Sequence, residues 1–397
     1  MLYRNMAIYV CLIALVLISS NTISAIPAFS RKYQVGCDMC HSVYPQLNAF
    51  GRDFKNNGFR TPDEMVSPHK EDEKSFWDKG FGEIPLDFHG KINQEFYPNN
   101  QRIGTETGID ELQLNAGVNF SQKVSFYLHT HLWESGHAGE PLAIEIRIND
   151  LFGSSLVNLR AGQYELPLSF SPEIERLMAF GYLTYSQAIG GNSFSIDQPQ
   201  LGLELSGDLG NDFLYWAGMV NGNGFTTDAV TGLFDSNPAK DFYFRLAKNF
   251  DDNTVGVFGY FGNNTVYADS VSYNHKDNFL RIGGDLNLVL NKLTVRTSIV
   301  HGNDTNFDGL NSSTSYHGGF VECNYFTTNR LVLLGRYEIV DLKNMAASPD
   351  PEAPKTNWAI TPGFQYLILP NIKVGLEYHV RQTPSANQAL ALLHFVI

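Results

Sequence analysis

The chain is short of cysteine, short of charge and, past its first residues, without a long apolar run. Four cysteines in 397 residues exclude a disulfide-built scaffold. No stretch after the N-terminus is long and apolar enough for a membrane helix, which excludes a helical bundle in the bilayer. Charged residues make up only 17%, and 28 Lys and Arg face 41 Asp and Glu for a formal charge of −13; that balance argues against nucleic acid and for cationic partners. What is abundant is glycine (35), phenylalanine (28) and tyrosine (19), the composition of many strands joined by turns.

Met1 to Ala25 has a basic start at Arg4, an apolar run from Met6 to Ser19 and small residues at Ser24 and Ala25. This pattern predicts a secretory signal over residues 1–25, although Ile23 occupies a position where a small residue is usual. Cys11 is discarded with it, and Cys37, Cys40 and Cys323 remain, the last expected as a lone buried or lipid-facing thiol.

Cys37-Asp38-Met39-Cys40-His41 follows closely. Two thiols at this spacing can each add to one vinyl group of a haem, and the next histidine then falls under the iron as its proximal ligand. A redox dithiol would open a helix after a strand in a βαβ pattern, and a zinc site would need a second pair of ligands; the sequence has neither. Export agrees with haem attachment, which occurs outside the cytoplasmic membrane. Residues 26–80 are therefore expected to form a small helical segment carrying one covalent haem c. Within it Leu47, Phe50 and Phe54 mark one face of a helix starting near Pro45. Arg31, Lys32 and Arg52 are candidate partners for haem propionates.

From residue 81 to 397 the period changes to two. Leu142, Ile144, Ile146 and Ile148 alternate with Ala143, Glu145, Arg147 and Asn149, and Ile372 to Val380 behave alike. Short turns near Ser121, Gly153, Asp208 to Asn211, Asp251, Asn291, Thr327 to Asn329 and Pro370 alternate with eight longer links, among them Pro167 to Gln198 and Asn263 to Lys276. This predicts a mainly β fold: an antiparallel outer-membrane barrel of about 16 strands, with both ends on the short-turn, periplasmic side. Such a lumen is wide enough for an aqueous channel or a plug, and the N-terminal segment is expected in or under its periplasmic mouth.

The block Ile26 to His41, followed by Pro45-Gln46-Leu47-Asn48-Ala49-Phe50-Gly51-Arg52-Asp53-Phe54-Lys55, resembles the outer-membrane fused monohaem cytochrome c-porin family of iron(II) oxidases; Ser30 replaces an alanine of that family's pattern. The resemblance implies an iron(II):cytochrome c oxidoreductase that oxidises extracellular Fe(II) and passes electrons to a periplasmic cytochrome or other carrier. It implies Cys37 and Cys40 as haem attachment and His41 as axial ligand, and identifies no Fe(II)-binding or catalytic residue. Outward extracellular electron transfer, and a porin whose haem is a non-catalytic plug, are the alternatives.

For the sixth haem position Met65 and His69 could fold back, while His89 on the first strand and His394 on the last should point inward near the periplasmic mouth. His129 and His131 also face inward by alternation and could line a route for iron or protons. Asp228, Asp235, Asp304, Asp308, Asp350 and Glu352 are loop carboxylates placed to gather cations.

Overall fold

Alternation becomes a closed wall in the computed structural model of the chain, which describes residues 28–33, 35–61, 86–98, 104–121, 123–222, 224, 235, 239–267, 273–344, 355–383 and 386–396. The expected signal, Met65, His69, Asp228, Asp350 and Glu352 lie outside these residues. Sixteen strands close an antiparallel barrel: β1 Leu86–Phe96, β2 Thr105–Asn119, β3 Val124–Glu134, β4 Pro141–Ile148, β5 Asn158–Tyr164, β6 Gln200–Gly210, β7 Phe213–Val220, β8 Asp241–Phe250, β9 Asn253–Tyr267, β10 Tyr273–Leu290, β11 Leu293–Asp304, β12 Thr314–Phe326, β13 Leu331–Leu342, β14 Thr356–Leu369, β15 Ile372–Arg381 and β16 Gln388–Val396. The last strand returns to the first, from Ala389 opposite Phe96 to Val396 opposite His89.

The wall is inside out relative to a soluble protein. On β4, Ile144 and Ile146 are each 42% exposed, whereas Ala143 and Glu145, which alternate with them, are each 2% exposed. Cys323 is exposed on the outer face of β12, as a lipid-facing thiol would be. Buried lumen charges are matched: Arg245 forks onto Asp285 at 2.5 and 2.9 Å, and Arg160 bridges Glu145 and Glu204. An apolar outer band around a paired polar interior is what a bilayer-spanning barrel requires.

Short turns fall at one end, at 120–123, 149–157, 211–212, 251–252, 291–292, 327–330 and 370–371; the longer links leave the other end. The link expected over Asn263 to Lys276 is shorter than read, because the ladder between β9 and β10 continues through Thr265 opposite Lys276. Polar residues sustain a strand beyond the apolar band as long as the backbone pairs continue. Asp304 is likewise not a free loop carboxylate: it ends β11 fully buried against the Arg281 guanidinium. Asp308 is spent on the backbone of Leu310 and Ser312, and Asp235 pairs with Lys240.

The lumen is partly filled: a cavity of about 1350 Å³, counting its open mouth, remains among Arg160, Glu204, Arg245 and Arg296. The 165–199 link turns inward and crosses to the far wall. There Arg336 donates to the Phe180 and Gly181 carbonyls, both at 2.7 Å, Glu338 accepts from the Leu183 amide and Glu377 accepts from the Ala179 amide. Around these anchors Phe170, Tyr182, Tyr185, Ile189 and Phe194 pack with wall residues Tyr260, Phe279, Tyr316 and Phe320 into an apolar core inside the barrel.

Residues 28–33 and 35–61 occupy the lumen at the short-turn end. They form α1 (Ala28–Tyr33), a tight turn at Cys37–Met39, a small hairpin pairing His41–Val43 with Gln46–Leu47, and α2 (Ala49–Asn56). The helix expected from Pro45 begins four positions later because Pro45 and Gln46 belong to the hairpin and Asn48 is the cap, its side chain accepting from the Gly51 amide at 2.9 Å. Wall contacts ring the segment: Lys373 donates to the Tyr44 carbonyl (2.6 Å), Arg147 to the Lys55 carbonyl (2.8 Å), Asn119 to the Phe59 carbonyl (3.0 Å), and Arg60 pairs with Asp150 (2.6 Å).

Candidate functional site

The tight turn at Cys37–Met39 brings the two thiols one turn apart, with the Cys40 amide donating to the Cys37 carbonyl at 3.3 Å. Asn48 ties this turn to α2: its side-chain amide donates to the Asp38 and Met39 carbonyls at 3.1 and 3.0 Å, and its backbone amide donates to the Cys40 carbonyl at 2.9 Å. Both cysteines are half-buried free thiols, and burial pushes each above the ordinary thiol range. His41 Nδ1 sits 3.1 Å from the Pro45 carbonyl oxygen, which fixes Nδ1 as the donor and leaves Nε2 for a metal. Desolvation pushes the imidazole pKa down, favouring the neutral ring that ligation needs.

These residues line one wall of a cavity of about 1240 Å³, a figure that includes the solvent in its open mouth. Phe29, Tyr33, Phe54 and Phe59 form an aromatic cluster at its side, with Phe29 stacked on Phe59 at 5.3 Å and Phe59 on Tyr127 of β3 at 5.0 Å. The barrel wall contributes Tyr127, His129 and His89, and the inward link adds Ile174 and Glu175, the latter ion-paired with Lys55. Two thiols, a histidine with a fixed tautomer and an apolar cavity against both are a donor set that fits a covalently held haem. Arg52 does not face this cavity; it donates to the Leu47 and Asp252 carbonyls. Lys32 lies over the Tyr33 ring at 4.7 Å.

The inward histidines divide. His89 lines the cavity, but Tyr44 Oη, Asp87 and Asn115 surround its ring nitrogens. His394 does not line it. It sits against the Tyr44 ring, centroids 5.3 Å apart, and borders a separate crevice with Cys37 and Lys373. His131 is ion-paired with Glu134 at 2.9 Å. His129 lines the cavity, is 3% exposed, and its Nε2 has no hydrogen-bond partner.

The barrel has the porin fold. An anion-selective porin from Comamonas acidovorans superposes with a TM-score of 0.59 at 8% identity, over 79% of this chain and 99% of that one. The outer membrane channel DcaP of Acinetobacter baumannii gives 0.55 at 12%, over 80% and 99%. A loop-deletion mutant of OmpT, an outer membrane protein of Vibrio cholerae, gives 0.54 at 14%, over 79% and 99%. No protein-family model matches the sequence, and no curated protein matches it. At these identities the likeness is one of fold, that of an outer-membrane barrel, and the site must be read from its own residues.

Sequence reasoning missed three participants: the inward link that supplies Ile174 and Glu175, Asn48 as the fastener of the cysteine turn, and Tyr44 between His41 and His89. The apolar and aromatic content of the 165–199 link was the available signal for the first. An Asn before a helical stretch was the signal for the second.

Proposed function

We propose that the chain is an outer-membrane c-type cytochrome that carries one covalent haem in the short-turn mouth of a plugged barrel and moves single electrons between the cell surface and periplasmic carriers. Extracellular Fe(II) is the donor. The observation that carries the haem reading is the meeting of Cys37, Cys40 and the Pro45-oriented His41 on one wall of a large apolar cavity. The choice of Fe(II) rests on the resemblance of residues 26–55 to the iron-oxidising family.

Cys37 and Cys40 would hold the group by thioether bonds and His41 Nε2 would ligate its iron, while the aromatic cluster of Phe29, Phe54 and Phe59 would exclude water. Bound haem supplies a one-electron couple, Fe(III) to Fe(II), matched to the single electron lost by each ferrous ion. The chain's own work is to fix the ring tautomer of His41, keep the cavity dry and separate its contents from the exterior. The inward link supports electron transfer over free solute permeation, since Phe170, Tyr182, Tyr185 and Phe194 narrow the lumen. An apolar band of about 25 Å exceeds the reach of one haem, so electron or iron travels part of the lumen.

Haem staining of the denatured protein and anaerobic addition of Fe(II) to the oxidised protein test this together. Covalent haem reduced by Fe(II), and lost in the C37A/C40A double variant, is the expected result. A haem that accepts electrons from dithionite and not from Fe(II) removes the ferrous donor and favours outward transfer.

A further inference from the structure

We infer that His129 is the second axial ligand of the haem, completing bis-histidine coordination with His41. The inference rests on the haem reading of the cavity above and goes beyond it by naming the residue that closes the iron's open side. His41 reaches the cavity from the N-terminal segment and His129 from β3 of the barrel wall, so a group held between them is gripped by both parts of the molecule.

His129 combines two features. A buried imidazole nitrogen without a partner is costly; Nε2 of His129 has none and lies on the wall of the cavity, whereas Nε2 of His394 is equally bare but His394 does not line that cavity. A metal is the partner that a neutral, desolvated imidazole suits best. The other candidates are committed elsewhere. The ring nitrogens of His89 are held by Tyr44, Asp87 and Asn115. His394 borders a different crevice, and its ring contacts are Tyr44 and His89. Met39 sits within the Cys37–Met39 turn itself and is exposed. Lys55 lines the cavity but is ion-paired with Glu175.

The test is spectroscopic and uses the full-length, haem-loaded protein in detergent. The wild type is expected to show ferric low-spin absorption and a low-spin paramagnetic resonance signal, with slow carbon monoxide binding when reduced. H129A should lose the low-spin signal, bind carbon monoxide faster and regain the low-spin spectrum when imidazole is added. H89A and H394A should keep the wild-type spectrum. Should H129A fail to fold, H129M retains a ligand and should raise the reduction potential, as methionine–histidine ligation does. An unchanged spectrum and potential in the His129 variants overturns the inference, as does loss of the low-spin signal in H89A or H394A instead. Absence of covalent haem on a denaturing gel overturns the haem reading itself, a failure distinct from a mistaken ligand.

Discussion

Replacing Gly51 with alanine should loosen the cysteine turn while leaving the barrel intact. Gly51 is in α2 where the helix crosses the attachment turn; a Cβ there would lie 2.1 Å from the Cys40 carbonyl oxygen, 2.9 Å from its carbon and 3.0 Å from a Leu47 methyl. Ordinary carbon–oxygen contact is about 3.3 Å, so the helix must retreat by about 1 Å. Overpacking of this kind costs about 1–3 kcal/mol, and the obstacle is backbone, which cannot rotate away. Alanine recovers roughly 0.5–1 kcal/mol of helix propensity. A net loss of about 1 kcal/mol corresponds to roughly a fivefold rise in the opened fraction of the segment. The assay is denaturant titration followed at the haem band, with barrel integrity read separately from heat-modifiable gel mobility. G108A is the control, since a Cβ at Gly108 meets nothing within 4 Å. If G51A titrates like G108A, the packing of α2 on the attachment turn is wrong.

Three further outcomes follow from the same contacts. G117L should dislodge α1, because a Cβ at Gly117 already falls 2.3 Å from the Phe29 ring; faster proteolysis near residue 29 would register it, and wild-type protection would contradict it. R336A removes the anchors of Phe180 and Gly181 and strands Glu338 in the lumen, at a cost of about 3–5 kcal/mol for breaking a buried pair; conductance in planar bilayers should rise above the wild-type value, and equal conductance would refute the plug. In haem-free protein, burial raises both thiol pKa values, so the thiolate fraction at pH 8 is smaller than in an unfolded peptide and alkylation of Cys37 and Cys40 should be slower there. Equal rates would show that the thiols are open to solvent.

The barrel was legible because its signals are local. Alternation fixed which face meets lipid, and the short turns read at Asn211, Asp251 and Asn291 are present, each with left-handed backbone at φ of 53°, 52° and 55°. The Cys37–His41 motif stands out for the same reason, as a short contiguous stretch, and the structure folds it into one tight turn and hairpin. What escaped is non-local. The 165–199 link reads as one more loop until Arg336, Glu338 and Glu377, far along the chain, are seen to hold it across the lumen. Asp304 reads as a loop carboxylate until Arg281 covers it. Alternation turned His89, His129, His131 and His394 inward alike; the docking of Tyr44 and Phe59 decides which of them faces the cavity, and no spacing encodes that docking.

Reconstitution into liposomes that enclose an oxidised soluble cytochrome, with Fe(II) supplied only outside, reaches the central claim most directly. The account predicts reduction of the enclosed cytochrome by the wild type and none by H41A of equal barrel content. No reduction by a wild-type protein whose own haem takes electrons from dithionite would contradict it.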